Sequence, residues 1–359
     1  MESVTRAAPG RITFPVGGPP RDRICIVMLS AIGDAVHVLP VVTALKRHAP
    51  SCRITWLLAP GPASLVRGHP DVDEIVEVDL ARGRPGWAEA LRAVRAREFD
   101  LVLALQVALK AGLLTAAVRA PVKLGFDRAR ARDLNWLFTT HRIPAGPRRH
   151  VQDQYFEFLD ALGVPHEPVT WNLGPWPHER AWQREWLARF DRPLAAVVVA
   201  ASDPDRNWPA ERWAAVADAL SERYGLQPLL VGGPSEAERA IADEIARRAR
   251  VPVERALGLG LRKLVAVLDG SVLVLSPDTG PMHMAVALDR PVIALMANAD
   301  PRRTGPYRRF HDLVVDAFRD PGDPDEVIWQ RRRGRTTRIS VDDVLERVER
   351  WSRSYRGRA

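Results

Sequence analysis

The sequence lacks the features that would place it in a membrane or a disulfide-rich secreted class. It has no apolar run of about 18 residues, the length needed to cross a bilayer. Residues 1–23 contain no apolar core like that of a secretory signal, and their proline, glycine and arginine content predicts a mobile extension. The two cysteines, Cys25 and Cys52, form no metal-ligand pattern. These absences predict a cytoplasmic protein with reduced thiols and no metal.

Motifs of two common ligand-binding classes are also absent. No zinc finger, RNP motif or clean basic helix indicates a nucleic-acid partner. A dinucleotide-binding turn needs three glycines, whereas the first βα turn has Gly33 and Asp34, and the aspartate would repel a pyrophosphate. Gly258-Leu259-Gly260 lacks the third glycine as well.

The chain has an ordinary globular composition over 359 residues, which fits two domains of about 150 residues each. Its net charge of +8 indicates anionic partners such as phosphates or anionic lipid. Arginine richness can equally be a compositional habit of the source organism, and the sequence leaves both explanations open. If the charge is functional, the runs Arg302-Arg303 and Arg331-Arg332-Arg333 predict peripheral contact with the cytoplasmic face of a membrane.

Strand-like and helix-like segments alternate along the chain, which predicts an α/β fold of two Rossmann-like, doubly wound domains. The pattern begins with a strand at 24–29 and a helix at 35–48, and it restarts with a strand at 195–200. The predicted organisation, in order, is a mobile extension (1–23), an N-terminal domain (24–170), a linker (171–192), a C-terminal domain (193–335), and a C-terminal helix and tail (336–359). Ligands of such sheets bind beyond the carboxyl ends of the strands, so a cleft between the domains is the expected site.

Asp34 ends the first predicted loop, where a helix begins. One interpretation is a helix N-cap, a position that favours aspartate. The other is a carboxylate that faces the cleft and acts as a general base.

The segment from Ser276 to His283 follows another predicted strand and opens a short helix. Backbone N–H groups near Thr279 and Gly280 are expected to bind phosphate, because a helix N-terminus carries partial positive charge. His283 would add a donor, and Asp278 would accept hydrogen bonds from sugar hydroxyls. The alternative is a turn with a capping aspartate and a solvent-facing histidine. A single Asp-Thr-Gly in this context does not indicate an aspartic protease, which needs two such carboxylates.

Two further loops follow strands of the second half. Arg206 can bind phosphate through its planar guanidinium. Glu236 either holds ribose hydroxyls or favours a helix N-terminus.

Together these loops resemble the heptosyltransferase-like glycosyltransferase family, which has the two-domain GT-B fold with Rossmann-like domains facing across a cleft. The similarity runs from about residue 24 to 307, with a weaker tail to 351. The motifs that carry it are Leu29-Ser30-Ala31-Ile32-Gly33-Asp34 with His37-Val38-Leu39-Pro40, Asn207-Trp208-Pro209, Gly233-Pro234-Ser235-Glu236, Asp278-Thr279-Gly280-Pro281-Met282-His283, and Asp300-Pro301-Arg302-Arg303-Thr304-Gly305-Pro306-Tyr307.

The resemblance implies an inverting sugar transfer with no required cofactor, from a nucleotide sugar such as ADP-heptose to an anionic lipopolysaccharide-core or related glycan. It makes Asp34 the catalytic base. It implies a donor site of Arg206, Glu236, Asp278, Thr279, Gly280 and His283, where Arg206 replaces a phosphate-binding lysine. On the acceptor side it points to Gln106 and Lys110, and Arg132 is expected there as well.

The sequence departs from its relatives at two places. Met296-Ala297-Asn298-Ala299 stands where they usually carry Phe-Gly-Pro-Thr or Tyr-Gly-Pro-Thr, and around 104–111 only Gln106 and Lys110 remain of an acceptor-domain motif. Two alternatives stay open at this stage. One is a GT-B-like sugar-nucleotide epimerase, and the other is a non-catalytic nucleotide- or glycan-binding paralogue.

Overall fold

The structure is a computed structural model, and it describes residues 12–14, 18 and 20–357. The chain divides into two compact domains, Met1–Asn172 and Leu173–Ala359. Each contains one six-stranded sheet in which all strands run parallel. Helices connect the strands, as a parallel sheet requires. The predicted α/β class is therefore confirmed.

The first domain is built on a sheet with the strand order β3-β2-β1-β4-β5-β6. Its strands are β1 (Arg23–Val27), β2 (Arg53–Leu58), β3 (Glu74–Glu77), β4 (Leu101–Ala104), β5 (Val122–Gly125) and β6 (His141–Arg142). Its helices are α1 (Ile32–His48), α2 (Pro60–Val66), α3 (Arg84–Arg95), α4 (Leu109–Ala117) and α5 (Val151–Ala161). The central strands read as continuous apolar runs because both of their faces are covered.

The second domain repeats this topology, with the order β9-β8-β7-β10-β11-β12. Its strands are β7 (Leu194–Val198), β8 (Gln227–Gly232), β9 (Glu254–Leu257), β10 (Leu273–Pro277), β11 (Val292–Met296) and β12 (Val314–Asp316). Its helices are α6 (Pro177–Leu187), α7 (Ala210–Tyr224), α8 (Glu236–Arg248), α9 (Leu261–Asp269), α10 (Gly280–Ala287), α11 (Pro301–Thr304) and α12 (Val341–Ser354). Both sheets thus have the Rossmann strand order.

The structure differs from the expected organisation in the linker at 171–192. Helix α6 occupies half of it, starting at Pro177, a first-turn position where the missing N–H of proline is harmless. Glu179 accepts a hydrogen bond from Trp176 N and forms a two-point ion pair with Arg262 of α9. These contacts make α6 a packed part of the second domain.

Part of the expected mobile extension is also packed. Ile12 is fully buried, and the ring of Phe14 meets that of His141 edge-on at 5.1 Å. Arg21 donates hydrogen bonds to the carbonyls of both residues. The remaining positions of 1–23 that carried this expectation, 1–11, 15–17 and 19, lie outside the described residues.

The C-terminal helix α12 belongs to the second domain. Its buried face, including Trp351, packs against α7, and Tyr355 just beyond it donates a hydrogen bond to Asp312. Within the described ranges no helix is both long and apolar enough to span a bilayer.

Candidate active site

The residues predicted to act in catalysis or binding follow the central strands of each sheet. In this strand order successive strands are added first on one side and then on the other side of the first strand of each domain, so the order changes direction between β1 and β4 and between β7 and β10. Loops that leave the carboxyl ends of these strands form the usual ligand-binding crevice of a Rossmann-like domain. The crevice of the first domain is the first-domain edge, and that of the second domain is the second-domain edge.

At the first-domain edge, Asp34 is the third residue of α1. Its Oδ2 accepts a hydrogen bond from the backbone N–H of Ala31, the N-cap residue, at 2.8 Å. The sequence-based alternative that Asp34 is itself the N-cap is therefore wrong by three positions, although its carboxylate does cap the helix. Asp34 stays partly exposed, as a base that must meet substrate requires.

Gln106 connects the loops that follow β1 and β4. Its Oε1 accepts a hydrogen bond from Leu29 N at 2.8 Å. Two carbonyls at the start of α4, those of Gln106 and Ala108, each accept a hydrogen bond from the amide of Asn135 at 3.3 Å. Gln106 therefore shapes the edge that carries Asp34. Because Oε1 already accepts a hydrogen bond, a contact of Gln106 with the acceptor would be made by the N–H groups of its side-chain amide.

Lys110 and Arg132, the other residues expected on the acceptor side, are both exposed. Lys110 lies in the first turn of α4, and Arg132 lies just before the 3-10 turn Asn135–Phe138, which packs on that helix. They therefore share one region of the first domain, and their contact with acceptor remains a prediction.

A buried histidine lies one turn after Asp34 on α1. The ring Nδ1 of His37 is 3.1 Å from Gln152 Oε1, while Gln152 Nε2 donates to the His37 carbonyl at 2.7 Å. The ring of His150 lies edge-on to His37 at 5.6 Å. This cluster fixes α5 against the helix that carries Asp34. Sequence analysis assigned no role to it, because Gln152 lies 115 residues away from His37 in the chain.

At the second-domain edge, Arg206 in the segment after β7 contacts Asp278, which directly follows β10. Arg206 Nη1 donates a hydrogen bond to the Asp278 carbonyl at 2.7 Å and lies 3.3 Å from its Oδ2. Asp203 Oδ2 is a more distant neighbour, 3.9 Å from Arg206 Nε. Sequence analysis therefore identified two residues, 72 positions apart, that the fold brings together.

Asp278 is only 4% exposed. This burial raises the pKa of Asp278, and the positive charges of Arg206, Arg331 and Arg303 act in the opposite direction. Three arginines from separate segments of the chain therefore exert a positive field on one buried carboxyl group. The same field would stabilise the negative charge of a bound diphosphate.

Helix α10 begins directly after Asp278. Thr279 is its N-cap in an extended conformation, and the N–H groups of Thr279 and Gly280 precede the first intrahelical hydrogen bond, from Met282 N to Thr279 O. Such groups bind anions at helix N-termini. His283 lies one turn inside and is buried, so the alternative of a solvent-facing histidine is wrong, as is that of Asp278 as the cap.

Among the known families, residues 87–318 match the model of Glycosyltransferase family 9 (heptosyltransferase). This match covers more than half of the 359 residues. The chain is a member of glycosyltransferase family 9. The predicted resemblance and the predicted enzyme class are both confirmed.

The curated relatives agree with this assignment. Over 335 residues the chain is 28% identical to "Lipopolysaccharide core heptosyltransferase OpsX" of Haemophilus influenzae, covering 91% of this chain and 96% of the relative. It is also 28% identical to "Lipopolysaccharide heptosyltransferase 1" of Escherichia coli K12, covering 83% and 94%. The epimerase alternative is not favoured.

Solved structures confirm the fold of this family 9 glycosyltransferase. It is similar to a glycosyl transferase family 9 protein from Veillonella parvula, with a TM-score of 0.77 and 23% identity over 92% of this chain and 96% of that chain. It is also similar to E. coli heptosyltransferase WaaC with ADP, with a TM-score of 0.72 and 24% identity over 91% and 99%.

Glu236 lies at a helix N-terminus, as one of its two sequence interpretations predicted. Glu236 is exposed in the first turn of α8, so its contact with a donor ribose stays a prediction. Its neighbour Glu238 is the residue that organises this loop, accepting hydrogen bonds from Gly233 N at 2.8 Å and Ser235 Oγ at 2.6 Å.

The two arginine runs assigned to lipid have partners within the second domain. Arg332 binds Asp323 through both terminal nitrogens, at 2.6 and 2.7 Å. Ion pairs also join Arg331 to Asp203, Arg333 to Asp205, and Arg302 to Asp325. These runs are therefore largely neutralised, which argues against them as a lipid-binding surface.

A buried residue that sequence analysis did not select organises the loop after β11. Asp300 is fully buried, and its Oδ2 accepts hydrogen bonds from Arg319 Nη1 at 2.8 Å and Ile328 N at 2.9 Å. This loop positions Arg303, whose guanidinium lies 4.5 Å over the ring of Trp329. The segment Asp300-Pro301-Arg302-Arg303 was the available signal in the sequence. It was used only as a mark of family resemblance, so no structural role was predicted for Asp300.

No group of three or more potential metal ligands occurs in the part of the chain that the structure describes. A reaction without a required cofactor remains a prediction.

Proposed function

We propose that this glycosyltransferase moves heptose from ADP-heptose onto a lipopolysaccharide-core acceptor with inversion at the anomeric carbon. The observation that carries the proposal is the meeting of Arg206 and Asp278 at the N-terminus of α10. This edge combines a guanidinium, helix N–H groups and a buried carboxyl group, which suits a diphosphate joined to a sugar. Relatives named as lipopolysaccharide heptosyltransferases, and a structural neighbour with ADP-2-deoxy-2-fluoro heptose, support this choice of donor.

In the proposed reaction the second domain stabilises the leaving group. As the bond from the anomeric carbon to the phosphate oxygen breaks, its electron pair leaves with the nucleoside diphosphate. Arg206, the N–H groups of Thr279 and Gly280, and His283 would bind the added negative charge. Donors already oriented toward developing charge contribute roughly 3 kcal/mol each to transition-state stabilisation. Asp278 would hold the sugar through its hydroxyls.

The first domain would supply the base. A hydroxyl of the acceptor forms the new bond to the anomeric carbon while its proton passes to the Asp34 carboxylate. The hydrogen bond from Ala31 N holds Oδ2 at 2.8 Å, which fixes the orientation of the carboxylate. A fixed base raises the rate because less freedom is lost on reaching the transition state.

An acceptor of this kind belongs to an anionic glycolipid, so we place the enzyme in the cytoplasm, in peripheral contact with the cytoplasmic face of the inner membrane. A nucleotide sugar and this glycolipid are the proposed partners.

A transfer assay tests the proposal. Purified enzyme is incubated with ADP-heptose, with and without a heptose-free lipopolysaccharide-core acceptor. Released ADP and the mass of the acceptor are followed. One heptose added per ADP, only with acceptor, is the expected result. A donor sugar isomerised without acceptor would show an epimerase, and nucleotide binding without any turnover would show a non-catalytic paralogue. Either result would overturn the proposal.

A further inference from the structure

Four large apolar side chains stand out on the surface of the first domain. Leu109 and Leu113 of α4 are 46% and 41% exposed, and Leu134 and Leu137 are 60% and 57% exposed. Over the described ranges these are the exposed large hydrophobic side chains, and all four lie on α4 or on the adjoining 3-10 turn Asn135–Phe138 with its N-cap. Single exposed leucines are ordinary, whereas a cluster indicates a binding surface.

Close packing holds these two elements together. Leu109 and Leu113 are four residues apart on α4, so they share one face of the helix. Gly112 lies against the 3-10 turn so closely that a Cβ there would be 2.4 Å from Phe138 Cδ2. Asn135 ties the turn to the start of α4 through its two hydrogen bonds. The leucines are therefore carried by a rigid support.

Four basic side chains lie around the leucines, beside one exposed acid, Asp133. The guanidinium groups of Arg128 and Arg142 lie 4.6 and 5.4 Å from the ring centre of the half-buried Trp136 in the same turn. Arg132 and Lys110 are exposed nearby in sequence and structure. As far as the described residues show, none of these four cations forms an ion pair, in contrast to the neutralised arginine runs of the second domain.

The backbone before the turn is held in an unusual conformation. Asp133 and Leu134 both have positive φ, 51° and 58°. A leucine in this region costs about 1–2 kcal/mol and gains nothing in compensation by pointing an apolar side chain into water. The fold thus maintains an exposed leucine at a cost, which fits a side chain used by a partner.

We propose that this surface docks the enzyme on an anionic phospholipid bilayer. The α4 surface is defined by its apolar, aromatic and basic members: Leu109, Leu113, Leu134, Leu137, Trp136, Lys110, Arg128, Arg132 and Arg142. Leucine and tryptophan enter the interface between headgroups and acyl chains, while lysine and arginine bind the negative headgroups. Charge complementarity selects an anionic bilayer over a second copy of this chain, whose α4 surface would be equally positive.

The inference rests on the membrane contact proposed above and assigns a surface to it, and it is tested apart from sugar transfer because binding to vesicles requires neither donor nor acceptor. The purified full-length chain is mixed with vesicles of phosphatidylcholine, with or without roughly 30% phosphatidylglycerol, and the bound fraction is measured by flotation at low salt. Binding is expected only with the anionic lipid, and it should fall as salt is raised because exposed charges are screened. No binding to anionic vesicles would overturn the proposal.

Paired variants locate the binding surface. Leu134→Ser with Leu137→Ser, and separately Arg128→Gln with Arg132→Gln, should each lower the vesicle partition coefficient by about tenfold or more. All four side chains are exposed, so folding should persist, and circular dichroism checks it.

Two controls match these changes. Arg350→Gln with Arg353→Gln removes the same charge from the exposed face of α12, and Leu134→Met with Leu137→Met keeps the surface apolar. Both should bind within about twofold of the unchanged chain. Equal losses in the α12 control would overturn the proposal, since net charge alone would then explain binding. A vesicle-independent dimer that the serine variants abolish, seen by analytical ultracentrifugation, would assign the surface to a second copy and also overturn it.

Discussion

Asp34 Oδ2 accepts a hydrogen bond from Ala31 N at 2.8 Å, so the proposed base also caps its own helix. An asparagine keeps a side-chain oxygen for this hydrogen bond but cannot take a proton. We expect Asp34→Asn to lower turnover by roughly a hundredfold or more, with the nucleoside diphosphate still bound. Turnover is measured with the transfer assay, and binding by calorimetry.

Helix α12 offers a matched control for this substitution. Asp343 is its third residue and accepts a hydrogen bond from Ser340 N at 2.8 Å. Asp343→Asn should cost about as much unfolding free energy as Asp34→Asn, within roughly 0.5 kcal/mol, and leave turnover intact. Near wild-type turnover in Asp34→Asn would remove the base assignment and leave only the cap.

Arg206 is expected to contribute to nucleoside diphosphate binding through both its charge and its shape. Arg206→Ala should weaken ADP binding by about 1–3 kcal/mol, as should His283→Ala. Arg206→Lys keeps the charge but loses the planar group, so its affinity for ADP should lie between that of the unchanged chain and that of Arg206→Ala. Calorimetry with ADP measures these effects. Arg250→Ala, which removes an exposed arginine paired with Asp218, is the control, and equal losses there would contradict a specific role for Arg206.

Above the raised pKa of Asp278, Asp278→Asn should strengthen ADP binding by about fivefold, because the ionised carboxylate repels the diphosphate and competes for Arg206. Burial raises the pKa of Asp278 above its ordinary value of 3.8. ADP affinity in the unchanged chain should therefore rise as pH falls through this raised pKa. The asparagine variant serves as the reference for the titration of ADP itself, and identical pH profiles in the two proteins would refute the assignment.

The raised pKa of Asp278 also determines whether the unfolding free energy rises or falls with pH. A carboxyl group with a raised pKa takes up a proton at a higher pH in the folded than in the unfolded chain. The contribution of Asp278 to stability is fully present below its pKa in the unfolded chain. It is lost as pH rises through its higher pKa in the folded chain. The unfolding free energy of Asp278→Asn should depend less on pH across this interval, as denaturant titrations can measure.

Helix α6 should depend on one ion pair for its attachment. Glu179 and Arg262 form two hydrogen bonds of 2.7 and 2.6 Å, and the guanidinium lies 3.5 Å over the ring of Trp176. Glu179→Gln leaves the mostly buried arginine without its countercharge, so we expect a loss of about 2 kcal/mol in unfolding free energy. Urea denaturation measures it. The exposed pair of Arg82 and Glu89 is the comparison, and Glu89→Gln should change stability by less than about 0.5 kcal/mol.

Both cysteines should be inert in the folded chain. Burial raises the pKa of Cys52 to about 11, and burial also raises the pKa of the fully buried Cys25. Very little thiolate exists at pH 8, and access is closed. A chromogenic disulfide reagent should therefore modify neither thiol natively and both in denaturant. Rapid modification of one equivalent in the native protein would contradict this.

Sequence periodicity predicted the central elements well because their patterns are strong. The strands predicted at 24–29 and 195–200 form as β1 (Arg23–Val27) and β7 (Leu194–Val198), and the helix predicted at 35–48 forms as the greater part of α1 (Ile32–His48). Edge and loop elements were missed where apolar runs are short, as in β5 and β9. Helix α6 was missed because its prolines and tryptophans suggested irregular chain, while the contacts that fix it come from α9, far along the sequence.

The candidate site shows the same division. Its members could be predicted where they follow a strong strand, as Asp34, Arg206 and Asp278 do. The partners of these residues could not be predicted, because pairs such as Arg206 with Asp278 or Gln106 with Leu29 form only when the sheet brings distant loops together. The arginine runs were assigned to lipid for the same reason, since composition reveals charge but not the carboxylates that neutralise it.

One amide links the outer surface of the first domain to its interior. Asn135 lies between two exposed leucines and donates to the carbonyls of Gln106 and Ala108, while the Gln106 side chain holds the N–H of Leu29 beside β1. Local opening of this chain of hydrogen bonds would let the Leu29 amide exchange with solvent. Anything that immobilises the 3-10 turn would slow that opening. The exchange rate of a single backbone deuteron at Leu29 would therefore report on events at the far side of α4.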